Sequence, residues 1–357
     1  MMTMRAAVSE AWRNLASGTS RAVLVAVLLM VGVGGLAVVD TVAVTSLIGQ
    51  ATAYEKSGAS TLILKTTAGV DGPACARLAS VRGVIGAAAV TLDGPSTTLT
   101  KLPSQQVPTV RATAGLATIL GVAPPRAGVW IPRELADLVG ARPDGLIGLG
   151  GVDVPVGAVY AHPDDGRRTG LGFAGVEPVP ADGTFNECWV RSWPESELTT
   201  PLLLATRTTA GADGTQDGAI TQWNTRHGRS FDGAARLASR PTRWSWVVAA
   251  GLGLLVGLGT TRARRLELAS AQHAGVGASS ILVTLVAEAL VPVAVLWAVM
   301  VPVGLWLTRG MGALDRAGVT HLGWWILWSG SVGLLLGTIG GALLTKERHL
   351  LRYFKER

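Results

Sequence analysis

Charge is what this 357-residue chain has too little of. Asp, Glu, Lys and Arg make up 15% of it, against roughly 25% in ordinary soluble domains, which argues against a wholly soluble protein. Aromatic residues are scarce too, at 5%. The net charge is +7 and the isoelectric point about 10. The stacking side chains that a nucleic-acid-binding face sets among its cations are nevertheless few. Two cysteines, Cys75 and Cys188, and five histidines form no CxxC and no metal-ligand spacing. The phosphate loop GxxxxGK(S/T), the nucleophile elbow GxSxG and the zinc motif HExxH do not occur. The sequence therefore offers no catalytic residue, no cofactor site and no ATP site of the P-loop kind. His162, Asp164 and Asp165 stand together as HPDD, but Pro-Asp-Asp-Gly is also the composition of a turn. Gly148-Leu149-Gly150-Gly151 likewise reads as a hairpin turn before a phosphate cradle.

What the chain has instead is long apolar runs. Ala22 to Val39 carries no charge and crosses a bilayer if Thr41 to Ile48 extends it. The competing reading is a signal peptide cleaved near Ala51-Thr52-Ala53, but the run is longer than the ~7–15 residues of such a core. An uncleaved anchor is expected. Ahead of it, Val8, Ala11, Trp12 and Leu15 share a helical face opposite Arg5, Glu10, Arg13 and Asn14. That helix either lies among lipid headgroups with Trp12 as anchor or is a solvated leader. Three further runs close the chain: Trp244 to Thr260, Ser280 to Leu307 with kink points at Pro292 and Pro302, and Leu322 to Leu344.

Between the first and second runs no segment can span. Strand-like alternation at Thr61–Thr66, Val81–Thr91, Val129–Ile131, Leu146–Tyr160, Glu187–Arg191 and Leu202–Thr206 mixes there with helical stretches at Pro73–Leu78 and Pro132–Val139. Gly211–Gly218 reads as an exposed loop, and Gln222–Ser239 as a helix or ordered stalk.

The expected fold class is an α-helical membrane protein: four transmembrane helices, with a large α+β extracytoplasmic domain inserted between the first and second. The segments are a cytoplasmic amphipathic helix at 1–21, a span at 22–48, the extracytoplasmic domain at 49–243, and a second span at 244–260. A cytoplasmic loop or helix at 261–279, a span at 280–307, a short external loop at 308–321, a span at 322–345 and a basic tail at 346–357 follow.

Orientation follows from the cations. Arg5, Arg13 and Arg21, then Arg262, Arg264 and Arg265, then Lys346, Arg348, Arg352, Lys355 and Arg357 fall on one side of four spans, which the positive-inside rule makes cytoplasmic. Arg240 and Arg243 fall on the other side, beside a long domain of the kind that translocates regardless of charge. Trp244, Trp246, Trp306, Trp324, Trp325 and Trp328 map to the outer interface. A plasma-membrane protein with both termini inside is expected. In an oxidising exterior Cys75 and Cys188 are expected to pair, the alternative being two separately buried thiols.

Glu288 lies inside an apolar run. It is either a proton or substrate contact or a hydrogen bond to a neighbouring helix. Asp40, nearer the outer interface, is expected to stay solvated. Small residues recur four apart, at Ala249, Gly253 and Gly257 and at Ser329, Gly333, Gly337 and Gly341. They mark close helix faces, for packing within the chain or for a dimer.

The stretch Arg262 to Pro292 carries a resemblance. Glu267-Leu268-Ala269 behind Arg264 and Arg265, then Gly275, then Glu288-Ala289, resembles the Arg-rich Glu-(Ile/Leu)-(Ala/Gly) helix, glycine and Glu-Ala pair of FtsX/MacB-like ABC transporter permeases. The layout of one span, a large external domain and three more spans is similar to theirs. Gln272 stands where that family commonly has a basic residue. The resemblance implies a non-catalytic permease subunit in which Arg264, Arg265, Glu267 and Gly275 couple to a separate ABC-type ATPase, since only about twenty residues precede the first span. It also implies a second permease copy or a related permease as partner, and an extracytoplasmic protein partner. Either a peptide, lipid or antibiotic-like compound is exported, or force is passed to an external partner such as a cell-wall hydrolase. The rival reading is a membrane-anchored receptor or sensor with no ATPase, for which the loop is only a basic flank.

Overall fold

In the computed structural model, residues 4–18, 20–123, 125–208 and 218–345 are described. The basic tail 346–357 and most of the loop expected at 211–218 lie outside them. The chain forms two compact units, one of residues 1–49 with 233–357 and one of residues 50–232.

The first unit is helical. Four of its helices are long and apolar enough to cross a membrane: Ala22–Lys56, Pro241–Ala263, Ala278–Leu307 and Ala313–Leu344. They run further than the apolar residues alone suggest. The first continues to Lys56 because nothing breaks it before Gly58, whose φ of 79° ends it. The fourth starts at Ala313, so the connection from the third shrinks to a tight turn in which the Arg316 side chain donates to the carbonyls of Thr308, Arg309 and Met311. At 1.5 Å per residue each of the longer helices reaches about 45–50 Å, beyond the ~30 Å of a hydrocarbon core. The third stays continuous through Pro292 and Pro302.

Polar groups do not cover these helices. Val23, Val31, Val248, Leu255, Leu290 and Leu336 are exposed along their length, an apolar surface that water solvates poorly.

The second and fourth helices meet backbone to backbone. A Cβ on Gly253 would overlap the Gly330 carbonyl, and one on Gly257 the Leu334 carbonyl. Reciprocally, Gly333 faces the Ala250 carbonyl, Gly337 the Leu254 carbonyl, and Gly341 the Thr261 side chain. The small-residue stripes thus face each other within one chain, the arrangement that van der Waals packing in lipid favours. The first helix takes a π turn at Met30–Gly34, and there Val33 fits the hollow left by Gly330.

Asp40 departs from the sequence expectation. It is 1% exposed, and Arg240 Nε donates to its Oδ1 at 2.9 Å. A carboxylate beside an apolar run is costly unless a cation reaches it, and an arginine just ahead of the second helix is close enough to do so. Arg240 is therefore an ion-pair partner of Asp40 more than a topological exception.

Among the described residues the second unit is built on ten strands: β1 Thr61–Asp71, β2 Val84–Thr91, β3 Ser96–Leu99, β4 Leu102–Ala112, β5 Val129–Pro132, β6 Leu146–Leu149, β7 Val152–Tyr160, β8 Gly175–Pro178, β9 Thr184–Ser192 and β10 Ala219–Gln222. Their order is β10-β1-β9-β2-β4-β3-β6-β7-β5-β8, and a β4–β8 pairing closes the second half on itself. Most pairs are antiparallel, and β4–β8 and β5–β7 are parallel. β6 and β7 join through Gly150-Gly151, with φ of 59° and 85°, the two positive values a type I′ hairpin turn requires. Leu202–Thr206, expected as strand, instead forms the end of the helix Thr199–Leu204 and the turn that follows it. Pro201 has no N–H for a strand ladder and sits comfortably in a first helical turn. Cys75, on the helix Gly72–Arg77, and Cys188, on β9, are fully buried and joined at 1.98 Å.

The last turn of the first long helix is fastened within this unit. Tyr54, 1% exposed, donates its hydroxyl to Glu195 and accepts from Gln222 Nε2 at 2.8 Å. Its ring packs 6.0 Å from Trp193 and 5.7 Å from Phe231. Glu195 also accepts from the Phe231 N–H at 3.0 Å. Arg191 reaches Glu55 at 3.2 Å, and Arg167 donates to the Lys56 carbonyl at 2.6 Å. The segment entering the unit and the segment leaving it are thus tied to each other.

Candidate functional site

The second long helix stops at Ala263, and Arg264, at φ −103° and ψ 11°, separates it from a short helix, Arg265–His273. Apolar residues seat that short helix. Leu268, 6% exposed, packs in a cluster with Ile281 and Leu285 of the third long helix and Ala342 of the fourth. Its end is a Schellman motif: Val276 N–H donates to the Ala271 carbonyl and Gly275 N–H to Gln272, with Gly275 at φ 87°. Only a residue that tolerates left-handed backbone closes this turn cheaply. Gln272 Nε2 donates to the Thr345 carbonyl at 3.3 Å.

Arg264 is the hub. Its Nε and Nη2 hold both oxygens of Glu267 at 3.0 and 2.8 Å. Its Nη1 donates to Glu288 Oε2 at 2.5 Å. The other Glu288 oxygen accepts from Asn14 Nδ2, on the N-terminal helix Met4–Ala16, at 2.7 Å. The Arg264 and Glu288 side chains are 10% and 6% exposed, while that of Glu267 is 49% exposed. One guanidinium therefore links the short helix, the second and third long helices and, through Glu288, the N-terminal helix. Burial works to lower the Arg264 pKa, but hydrogen bonds and charge from Glu267 and Glu288 outweigh it and raise it. A cation whose folded pKa is raised adds stability that is lost only as pH climbs through that value. For an arginine this lies beyond any working pH, so the hub stays charged.

Glu288 thus reaches Arg264 and Asn14. Its depth changes too. It lies level with the end of the second helix, which leaves roughly twenty residues of the third helix beyond it, enough to span. A cavity of about 150 Å³ lined by Glu10, Asn14, Arg264, Glu267, Thr284 and Glu288 opens beside the hub. Arg265 opens the short helix, while Gly253, Gly257, Gly333, Gly337 and Gly341 form the seam between the second and fourth helices. Asn14 was visible in sequence only as part of a polar helical face, and nothing in spacing assigns it to Glu288. Trp12, on the same helix, is 72% exposed. The HPDD residues form a loop, with His162 Nε2 against the Arg168 carbonyl at 3.1 Å and Asp165 paired with Arg167 at 3.2 Å. Among the described residues no three metal-ligating side chains cluster.

No protein-family model matches the sequence, and no curated protein matches it as a relative. Solved structures that are similar in part include two permease-related domains. The periplasmic region of MacB from Actinobacillus actinomycetemcomitans superposes at 10% identity and a TM-score of 0.34, covering 46% of this chain and 89% of that one. A domain of a putative permease protein from Porphyromonas gingivalis superposes at 18% identity and a TM-score of 0.33, covering 51% of this chain and 96% of that one.

Proposed function

We propose that this chain is the membrane subunit of an ABC-type machine, a permease or mechanotransmitter that relays the motion of a separate ATPase to an extracytoplasmic domain. The observation that carries the reading is the Arg264 hub. The half-exposed Glu267 offers a contact on the short helix 265–273, and Arg264 ties that same residue to the buried Glu288. A push on the short helix therefore displaces the third long helix and the N-terminal helix along with it. The glycine seam makes the second and fourth helices move as one, because backbones in contact cannot slide without overlap. The first helix is continuous to Lys56, and its last turn is held within the β-rich unit by Tyr54, Glu55 and Lys56, which makes it the proposed path for the motion of the spans. The resemblance of Arg262 to Pro292 to the FtsX/MacB-like permeases supports the same assignment.

In this reading the chain lies in the plasma membrane with both termini cytoplasmic, and Arg264, Arg265, Glu267 and Gly275 receive the ATPase. Its work is mechanical. Two copies, or this chain and a related permease, flank the ATPase pair, and cargo export and action on an external protein partner use the same motion. Affinity purification from native membranes tests the assignment. A P-loop ATPase accompanies the wild-type chain and is lost with Glu267→Arg or Gly275→Leu. Equal recovery with both variants contradicts a coupling role and favours a sensor.

A further inference from the structure

Within the β-rich unit, the loop between β7 and β8 walls a cavity of about 420 Å³, inside the ~300–1,000 Å³ range of small-molecule sites. Its lining is preformed. Arg168 N–H donates to the Trp223 carbonyl at 2.9 Å, Asn224 Nδ2 donates to the Asp165 carbonyl at 3.1 Å, and Arg167 donates to the Ser57 carbonyl at 3.0 Å. Trp189 and Trp223, 5.4 Å apart and each 1% exposed, lie beneath the cavity, with the Arg167 guanidinium 4.8 Å over the Trp223 ring, and Leu92 stands on the wall.

The polar groups left over are mostly donors. The Trp223 indole N–H has no acceptor among the described residues but lies buried beneath the cavity surface. Arg168, its side chain 36% exposed, spends only Nη2 on Glu187, at 3.3 Å, while Glu187 also accepts from Trp189 Nε1 at 2.8 Å. The rest of the guanidinium fork faces no acceptor among the described residues. Thr169 and Thr225 line the same space with exposed hydroxyls. Spare donors above buried indoles match a ligand that brings acceptors and a modest apolar body.

We propose that this cavity binds a small carboxylate carrying one apolar side chain. Arg168 holds the carboxylate, and Leu92, above the buried indoles, receives the apolar part. An N-acylated amino acid and the C-terminus of a short peptide share this chemistry.

Calorimetry on the full chain in lipid nanodiscs tests it with N-acetyl-leucinate, the uncharged N-acetyl-leucinamide and the tripeptide Gly-Gly-Leu. N-acetyl-leucinate binds at least roughly tenfold more tightly than the amide, and Arg168→Gln weakens it by a similar factor. Since Arg168→Gln also strips Glu187 of a partner, Leu92→Trp serves as the second variant. It fills the cavity, leaves the Arg168–Glu187 pair untouched, and abolishes binding. Tripeptide binding at least as tight as that of N-acetyl-leucinate points to a peptide terminus, and weaker binding to a free acylated amino acid. Absence of binding by both carboxylates at millimolar concentration, equal binding of the amide, or binding unchanged by Leu92→Trp overturns the proposal.

Discussion

Replacing Arg264 by glutamine leaves Glu288, 6% exposed, with Asn14 as its remaining partner in the hub. Removing one member of a buried pair costs about 3–5 kcal/mol, because the other charge stays desolvated without compensation. The reverse change, Glu288→Gln, is milder. Arg264 keeps two hydrogen bonds to Glu267, whose half-exposed carboxylate is partly solvated already. The loss there is one charge-assisted hydrogen bond, about 1.5–3 kcal/mol. The two variants are therefore unequal, with Arg264→Gln the more damaging. The double variant retains a shape-matched amide pair and falls short of the sum by about 1–3 kcal/mol, the coupling expected of direct partners. Equilibrium unfolding in mixed detergent–lipid micelles gives the four free energies of this cycle. Two equal single losses, or a coupling below about 0.5 kcal/mol, would refute the view that Arg264 and Glu288 support each other.

Four further outcomes follow from the same contacts. Gly337→Leu forces a side chain into the Leu254 carbonyl and, by parting the second and fourth helices, sharply lowers the yield of folded protein in membranes; Gly259→Leu, whose Cβ meets nothing within 4 Å, leaves the yield intact. Cys188→Ser opens a link spanning 113 residues and lowers the stability of the β-rich unit by about 2–5 kcal/mol, read by chemical denaturation, with non-reducing mass mapping showing the bridge in the wild type. Tyr54→Phe strips Glu195 and Gln222 of a shared partner and costs about 1–3 kcal/mol, seen as faster hydrogen exchange at residues 50–56. Arg240→Gln leaves Asp40 buried without its cation, and in unfolding assays it destabilises the chain more than Arg243→Gln, whose guanidinium lies over the Trp244 ring at 5.0 Å.

The helical half of the fold was legible because an apolar run of about twenty residues is a one-dimensional signal that needs no partner to be read. Its ends were not. Ser46, Gln50 and Thr52 are polar enough to leave a bilayer yet fully compatible with helix, so composition alone stopped the first helix short of Lys56. Pairings were hidden for another reason. Asp40 with Arg240, and Glu288 with Arg264, are joined by the packing of separate helices, and no local spacing encodes which cation meets which carboxylate. The glycine stripes showed close approach but left open whether the opposite face belonged to the same chain, and the seam between Gly253 and Gly330 answers that. In the β-rich unit, strands with clear alternation such as β1 and β9 stood out. β4, with Pro103 and Pro108, and β10, in a polar stretch, had no such mark. The 420 Å³ cavity was invisible because its walls come from stretches as far apart as Leu92, Arg168 and Trp223.

In the proposed relay, motion received at the short helix 265–273 travels to the β-rich unit. Hydrogen exchange on the purified complex with its ATPase, with and without a non-hydrolysable ATP analogue, reads that transfer at residues 50–56 and at strand β10. In the wild type the nucleotide changes protection at both. With Glu288→Gln the ATPase stays bound through Glu267 while the nucleotide-dependent change is lost. Protection that ignores the nucleotide in the wild-type complex, or a response that survives intact in Glu288→Gln, would contradict the relay.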